Sequence, residues 1–162
     1  MKRLNGASTG TFICLKVADT RLPADALASI EAALAGGAPW GRFDVDIAGR
    51  SRMLPVIAAL MNLRSRWTGI ATGDQAIFVR RTLFDAVGGF PDQPLMEDIE
   101  LSRRLCRRHR PACLRQRVCT SGRRWEKHGL WRTMLLMWRL RLAFWLGADP
   151  NRLAAQYVRH KP

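Results

Sequence analysis

Residues 72–105 read "TGDQAIFVRRTLFDAVGGFPDQPLMEDIELSRRL", and this stretch contains the clearest succession of a strand and helices in the chain. The apolar run at 76–80 predicts a strand, and residues 81–89 predict a short helix that ends at Gly88 and Gly89. Residues 95–109 predict a second helix, because their acidic residues come first and their arginines last, as the helix dipole favours. A strand followed by helices indicates the α/β class.

The segments on either side continue this alternation. In residues 41–47 apolar and charged residues alternate strictly, which predicts a half-buried strand with Phe43, Val45 and Ile47 on its apolar face. The other predicted strands are at 11–17 and 112–120, and the other predicted helices are at 23–37, 52–67 and 129–147, followed by a polar helical tail.

The composition is that of a globular protein with an uneven charge distribution. The 162 residues suit one domain, and 48% of them are hydrophobic and 25% charged. The formal net charge is +14, and residues 101–162 hold 16 of the 27 basic and 2 of the 13 acidic side chains. This asymmetry predicts an anionic partner for the C-terminal part: a phosphate-bearing ligand, nucleic acid or an anionic membrane surface.

The cysteines and the N-terminus suggest a cytoplasmic protein. The four cysteines form no CxxC pair and no zinc-finger spacing, so we expect free, reduced thiols. The first apolar run is short, is interrupted by Lys16 and has no small-residue cleavage pattern, so we expect no signal peptide.

The acidic cluster at the start of the 95–109 helix has two explanations. Carboxylates at a helix N-terminus stabilise the helix, and Glu100 can pair with Arg104 one turn later. Glu97 and Asp98, however, point about 100° apart on a helix, so one can anchor the turn while the other faces a cleft.

Three further places could bind a ligand, although ordinary turns and a solvated basic loop explain them as well. Asp19 ends a strand, where α/β proteins gather ligands, and its carboxylate could bind a divalent cation. Asp74 precedes the 76–80 strand and could accept a hydrogen bond from a hydroxyl group. Arg124 and Trp125 lie in a probable loop, where a guanidinium suits a diphosphate and an indole can cover a sugar or a base.

The 129–147 helix carries an apolar stripe at spacings of four and three: Trp131, Leu135, Trp138, Leu142 and Trp145. Arginines interrupt the segment, so it is a poor transmembrane span. The stripe therefore fits either a helix that lies in the membrane interface or a helix docked on the protein core.

Taken in order, "ADTRLP", the 72–105 stretch and "SGRRW" resemble the second half of a family 2 glycosyltransferase with the GT-A fold. The most similar subgroup is the bacterial one described as radical-SAM/selenodomain-associated or arsenosugar-type. The resemblance covers nearly all of residues 17–160, and its most specific part runs from Arg81 to Asp98.

The resemblance implies a role for each matching residue. Asp98 would be the general base and Glu97 its companion in the catalytic "ED" pair. The "GDQ" of Gly73, Asp74 and Gln75 would bind the acceptor. Arg124 and Trp125 would form the basic-aromatic element that helps to bind the donor.

The resemblance also implies the cofactor and the substrates. Asp19 matches the metal-binding carboxylate for Mg²⁺ or Mn²⁺, but Val17 stands where a first acid could be. The implied reaction is inverting transfer of a sugar from a nucleotide-sugar donor to an unidentified acceptor hydroxyl. The resemblance also implies a cytoplasmic protein that associates peripherally with the inner face of the membrane, and it implies no nucleic-acid partner.

Family members begin with a nucleotide-binding half that the present N-terminus does not resemble. We therefore expect a truncated GT-A catalytic domain at 1–128 and a C-terminal amphipathic helical segment at 129–162. We do not expect this chain to transfer sugar by itself. The alternatives are a basic, non-enzymatic module that binds nucleic acid through residues 101–162, and a fragment that associates with an anionic membrane surface or a partner chain.

Overall fold

A computed structural model describes residues 4–8, 11–123 and 129–159 of the chain. The described residues form one six-stranded mixed sheet with flanking helices, which confirms the α/β class and the mixed sheet. The strands are β1 (Leu4–Ser8), β2 (Phe12–Val17), β3 (Thr20–Arg21), β4 (Trp40–Ala48), β5 (Ile77–Arg80) and β6 (Ala112–Ser121). The helices are α1 (Ala26–Ala35), α2 (Leu54–Thr68), α3 (Arg81–Ala86), α4 (Glu97–Cys106), α5 (Leu130–Trp145) and α6 (Pro150–Arg159), and a 3₁₀ turn spans Gly73–Gln75.

The strand order explains where a ligand could bind. The sheet runs β1-β2-β5-β4-β6-β3, with β4 and β6 parallel and the other neighbouring pairs antiparallel. Strands β2, β4 and β6 therefore point in one direction and β5 in the opposite direction. The carboxyl ends of β2, β4 and β6 meet the amino end of β5 at one edge of the sheet, which we call the site edge.

Helices cover the sheet on both faces. Successive residues of β2 alternate between two hydrophobic clusters, as expected of a strand that is buried on both sides. Phe12 and Cys14 pack with residues of α1 and α2, whereas Ile13 and Leu15 pack with residues of α3 and α4. The two clusters bury large side chains such as Phe78, and this burial is the main favourable contribution to folding.

The prediction of a half-buried β4 is right for its apolar face, and on its charged face it is wrong only for Arg42. Phe43, Val45 and Ile47 are buried as predicted, but Arg42 is fully buried as well. Its guanidinium forms an ion pair with Asp44 and donates a hydrogen bond to the Asn62 carbonyl at 3.1 Å. Arg42 is therefore buried because its charge finds partners on β4 itself and on α2, whereas Asp44 and Asp46 are partly exposed.

Two strands were not predicted. Residues 4–8 carry no strand pattern that we recognised, yet β1 pairs antiparallel with β2 in the register Leu4 to Val17. The two-residue β3 pairs with β6, with Thr20 opposite Thr120. Both strands lie at the outer edges of the sheet, where pairing with a single neighbour requires little sequence pattern.

The C-terminal helices pack on α4 through the side of α5 that does not carry the aromatic stripe. Leu140 of α5 and Leu153 of α6 are buried against Met96 and Ile99. The stripe itself is exposed along its whole length: Trp131, Leu135, Trp138, Leu142 and Trp145. The interpretation of the stripe as core is therefore wrong, although the helix does dock on the protein. The division into two domains at residue 128 stays a prediction.

The four cysteines, all in the described part of the chain, are free thiols. Among the described helices, none has the length and apolar character needed to cross a bilayer.

Candidate functional site

A cavity opens at the site edge of the sheet. Its volume is about 360 Å³, which suits a small organic ligand. The sheet contributes residues from or beside the strand ends: Asp19 after β2, Ile47 near the end of β4, Asp74 before β5, and Thr120 and Ser121 at the end of β6. The antiparallel direction of β5 is what brings Asp74 to the same edge as Asp19.

Two helices close the sides of this cavity. Helix α2 contributes Ile57, Leu60, Met61 and Arg64, and helix α5 contributes Thr133, Met134, Met137, Trp138 and Arg141. The walls are therefore mostly apolar and rich in methionine, with charged groups only at a few positions. This combination is typical of ligand sites in which a few polar groups fix the orientation of an apolar body.

The structure brings the predicted "GDQ" and "ED" segments together. One carboxylate oxygen of Asp98 accepts a hydrogen bond from the Gly73 N–H at 2.8 Å, and the other accepts from the Ile99 N–H at 2.8 Å. Residue 98 lies in the first turn of α4 and residue 73 starts the 3₁₀ turn, so one carboxylate satisfies free backbone donors of two helical starts. Each oxygen keeps a second lone pair that can accept a proton.

Burial changes the acidity of both residues of the "ED" pair. Burial raises the pKa of Asp98, and the nearby Asp74 carboxylate acts in the same direction. The hydrogen bonds from Gly73 and Ile99 and the charge of Arg141 oppose this rise. Burial also raises the pKa of Glu97, with a smaller contribution from Asp98. A raised carboxyl pKa lies closer to neutral pH, and a general base is most effective when its pKa is near the pH at which it works.

Asp74 lies on the cavity wall, and Asp98 lies next to it without lining the cavity. The Thr120 hydroxyl donates to a carboxylate oxygen of Asp74 at 3.4 Å, and the Thr20 hydroxyl donates to the Thr120 hydroxyl at 3.3 Å. Asp74 is thus oriented from β6 across the site edge. The predicted hydrogen bond from a ligand hydroxyl to Asp74 stays a prediction, and Asp74 lies on the cavity wall where such a ligand would be.

Gln75 anchors the turn and does not line the cavity. It is fully buried, its side-chain oxygen accepts a hydrogen bond from the Thr72 N–H at 3.3 Å, and its side-chain amide donates to the Asn62 side-chain oxygen at 3.3 Å. Asn62 in turn bonds both the N–H and the carbonyl of Val45 at 2.9 Å and 3.0 Å. The "GDQ" sequence therefore combines one residue on the cavity, Asp74, with a neighbour that holds the turn against α2 and β4.

Strained backbone flanks both segments. Ala76, directly after the 3₁₀ turn, has a φ of 47°, and Met96, directly before α4, has a φ of 63°. A non-glycine residue in this region costs on the order of 1–3 kcal/mol, and such residues cluster at functional sites. Both are buried, so the surrounding packing enforces these conformations.

Two arginines of the cavity wall were not predicted as site residues. Burial is the main cause that lowers the pKa of Arg64 to about 10, and burial also lowers the pKa of Arg141. The Nε and Nη2 atoms of Arg64 and the Nε atom of Arg141 are buried without a hydrogen-bond partner among the described residues. Each arginine completes an otherwise apolar helical stripe, Ile57-Leu60-Met61 in α2 and Met134-Met137-Trp138 in α5. A single charge on an apolar helix face is the sequence signal that could have identified them.

The predicted metal ligand, Asp19, is exposed at the cavity and shares its wall with Asp74. Within residues 4–8, 11–123 and 129–159, three or more His, Cys, Asp or Glu side chains do not come together as a possible metal site. The divalent cation therefore stays a prediction. Arg124 and Trp125, the predicted basic-aromatic element, lie outside the described residues.

Comparison with protein-family models gave no match, and searches of curated proteins and of solved structures also returned no similar protein. The relation to family 2 glycosyltransferases therefore stays a prediction that rests on the residues quoted above.

Proposed function

We propose that the chain is the acceptor-side part of a glycosyltransferase with a GT-A type fold. The proposal takes a nucleotide sugar as donor and an acceptor with a free hydroxyl group as the second substrate. The observation that carries it is the hydrogen bond from the Gly73 N–H to the Asp98 carboxylate, beside a cavity that Asp19 and Asp74 line. Asp19 of the "ADTRLP" segment and two separate parts of the 72–105 stretch, around Asp74 and Asp98, thereby lie at one edge of the sheet.

In this mechanism the protein orients the acceptor and takes one proton. Asp74 accepts a hydrogen bond from the acceptor within the cavity. Because Asp98 does not line the cavity, it takes up the proton of the reacting hydroxyl through one bridging water, while the hydroxyl oxygen forms a bond to the anomeric carbon and the bond to the diphosphate oxygen breaks. The nucleoside diphosphate leaves with the bonding electrons, and the configuration at the anomeric carbon inverts. The apolar cavity walls exclude water that would otherwise compete with the acceptor.

The position of Asp98 supports its role as the base. Its pKa is raised by burial, so its protonated form after the reaction is less unfavourable than for an exposed carboxyl. The two backbone N–H donors fix its orientation, so little reorganisation is needed when it takes up the proton.

The test is a transfer assay with a panel of nucleotide sugars and hydroxyl acceptors, with products measured by mass spectrometry. Two forms are assayed. The first is the chain itself, and the second is the chain fused to the polypeptide encoded directly upstream of it in the gene. We expect Asp98→Asn to reduce turnover by about 10²–10⁴-fold while donor binding is retained. The matched control is Asp85→Asn, which neutralises an exposed aspartate and should leave turnover unchanged. Near-normal turnover of Asp98→Asn would refute the assignment.

A second candidate function is binding to an anionic membrane surface, and one specific observation favours it. Helix α2 carries an exposed apolar stripe that the sequence did not reveal: Val56, Leu60, Leu63 and Trp67. Leu60 of this stripe and Trp138 of the α5 stripe both line the cavity, so the two stripes meet at its mouth. Exposed apolar area of this kind marks an interaction surface, and the basic net charge suits an anionic bilayer.

Co-sedimentation with vesicles of phosphatidylglycerol and phosphatidylcholine tests this candidate. We expect the double variant Trp67→Ser with Trp145→Ser to lose at least about half of the bound fraction. The control variant Val158→Ser removes an exposed apolar residue of α6 outside both stripes and should bind as the unaltered chain does. Equal binding of the double variant and the unaltered chain would exclude the stripes as the contact surface.

A further inference from the structure

We propose that the acceptor carries an anionic group beside an apolar body, and that Arg64 and Arg141 bind this anionic group. This inference rests on the proposed function, since it names the chemical class of the molecule that occupies the cavity. It uses two residues to which the resemblance assigns no role.

The two guanidinium groups lack hydrogen-bond partners that a buried arginine normally has. A guanidinium carries five N–H donors and no acceptor, so it is satisfied only by acceptor oxygens. In the described part of the chain, Arg64 Nε, Arg64 Nη2 and Arg141 Nε have no such partner although they are buried. Buried polar atoms without partners are rare, and both arginines line the cavity, so a ligand oxygen that draws either guanidinium toward the cavity would satisfy them.

The positive charges of the two arginines repel each other and are not neutralised by their neighbours. The positive charge of Arg141 lowers the pKa of Arg64, as does that of Arg42, so the groups are close enough to repel. Asp98 and Asp74 act in the opposite direction on Arg141, but burial outweighs their attraction and its pKa stays lowered. The neighbouring carboxylates therefore do not compensate for the burial of the two cations. An anionic oxygen group between them would remove the repulsion and supply hydrogen-bond acceptors.

The remaining wall of the cavity specifies the rest of the ligand. Met61 of α2 and Met134 and Met137 of α5 line it together with Trp138, and methionine adapts its shape to apolar groups of irregular form. A molecule that carries only charged and hydroxyl groups would leave this wall unused. The arrangement fits a carboxylate, phosphate or sulfate on an aliphatic or aromatic body, with the reacting hydroxyl near Asp74.

The test compares two probes with the same alkyl chain, sodium octanoate with an anionic head group and octanamide with a neutral one, by isothermal titration calorimetry with the whole chain. We expect octanoate to bind at least about tenfold more tightly than octanamide, because hydrogen bonds to charged groups are stronger than neutral ones. We expect Arg64→Gln and Arg141→Gln each to remove this preference and to leave octanamide binding unchanged. Because octanamide binding requires an intact cavity, it shows in the same experiment that each variant is folded.

The matched control is Arg139→Gln, which removes the same charge from an exposed position of α5. It should retain the preference for octanoate. If the unaltered chain binds octanoate and octanamide equally, or if Arg139→Gln weakens octanoate as much as Arg141→Gln does, the inference is overturned. The first of these comparisons needs no variant, so it decides the question even if both arginine variants fail to fold.

A further arm distinguishes the acceptor from the diphosphate of the donor, which also offers anionic oxygens. Inorganic pyrophosphate is titrated in competition with octanoate. Absence of competition supports an anionic acceptor. If pyrophosphate displaces octanoate and Arg141→Gln weakens both equally, the two arginines bind the donor and the inference fails.

Failure of the inference and failure of the proposed function are separable. The Asp98→Asn variant should lose transfer and keep its preference for octanoate. Loss of transfer without any octanoate preference leaves the transferase proposal standing and removes the anionic acceptor. If the chain transfers no sugar with any donor but shows an arginine-dependent preference for octanoate, the anion-binding inference stands and the transferase proposal falls.

Discussion

Replacement of Arg64 by methionine is predicted to stabilise the protein, although the residue lies at the candidate site. Burial and repulsion lower the Arg64 pKa from its ordinary value to about 10. Each tenfold change in a protonation equilibrium corresponds to about 1.4 kcal/mol, so the charged side chain costs on the order of 3 kcal/mol in the folded state at neutral pH. Methionine has a similar unbranched shape and would extend the apolar wall that Met61 begins.

Part of this gain is lost with the packing of the longer side chain, so we expect an increase of about 1–2 kcal/mol in the free energy of unfolding. Urea denaturation followed by circular dichroism should show a midpoint that is higher by roughly 0.5–1 M with an unchanged slope. The same variant should lose the preference for octanoate over octanamide. A gain in stability together with a loss of ligand binding is the expected signature of a residue kept for function.

The control on the same helix is Arg66→Met, two residues further along α2. Arg66 bonds the Asp44 carboxylate at 2.6 Å and the Cys113 carbonyl at 3.4 Å, so its replacement removes satisfied contacts. We expect this variant to be less stable by about 1 kcal/mol. If Arg64→Met is destabilised to the same degree as Arg66→Met, neighbouring groups do offset the cost of burying the Arg64 charge, and the reasoning is wrong.

Three further outcomes are expected from urea denaturation of single variants. Burial raises the Asp98 pKa, so the folded state is favoured when that carboxyl is protonated. The free energy of unfolding should therefore fall as the pH rises from about 4 through the folded-state pKa, and Asp98→Asn should reduce this fall. Asn62→Ala should cost about 1–3 kcal/mol, because the N–H and carbonyl of the buried Val45 lose their partners. Gly41→Ala should cost at least about 1–3 kcal/mol, because the new Cβ would lie 2.5 Å from a ring carbon of Phe78. Full stability of Asn62→Ala or of Gly41→Ala would contradict the packing described.

The described elements that the sequence predicted have strong local patterns. The α4 helix starts with its three acids, and Glu100 forms the predicted pair with Arg104 at 3.1 Å, together with a pair to Arg103 at 3.0 Å. These features depend on residues three or four positions apart, which is why local reasoning finds them. The edge strands β1 and β3 have no such pattern and depend on partners that the fold supplies.

The candidate site divides in the same way. Asp19, Asp74 and Asp98 could be proposed from the sequence because they belong to recognisable segments. The carboxyl end of β2 and the amino end of β5 bring Asp19 and Asp74 to one edge, but only the strand order shows this. The unpartnered atoms of Arg64 and Arg141 could not be predicted, because the absence of partners is a property of the tertiary structure.

The most direct test of the central claim, that Asp98 is the base beside this cavity, is the pH dependence of kcat/KM for sugar transfer. The account predicts a rate that rises with pH to a plateau, with an apparent pKa above the usual aspartate value of about 3.9. In Asp98→Asn this rising limb should disappear and the plateau should fall by about 10²–10⁴-fold. A variant that keeps both the limb and the rate of the unaltered protein would contradict the account.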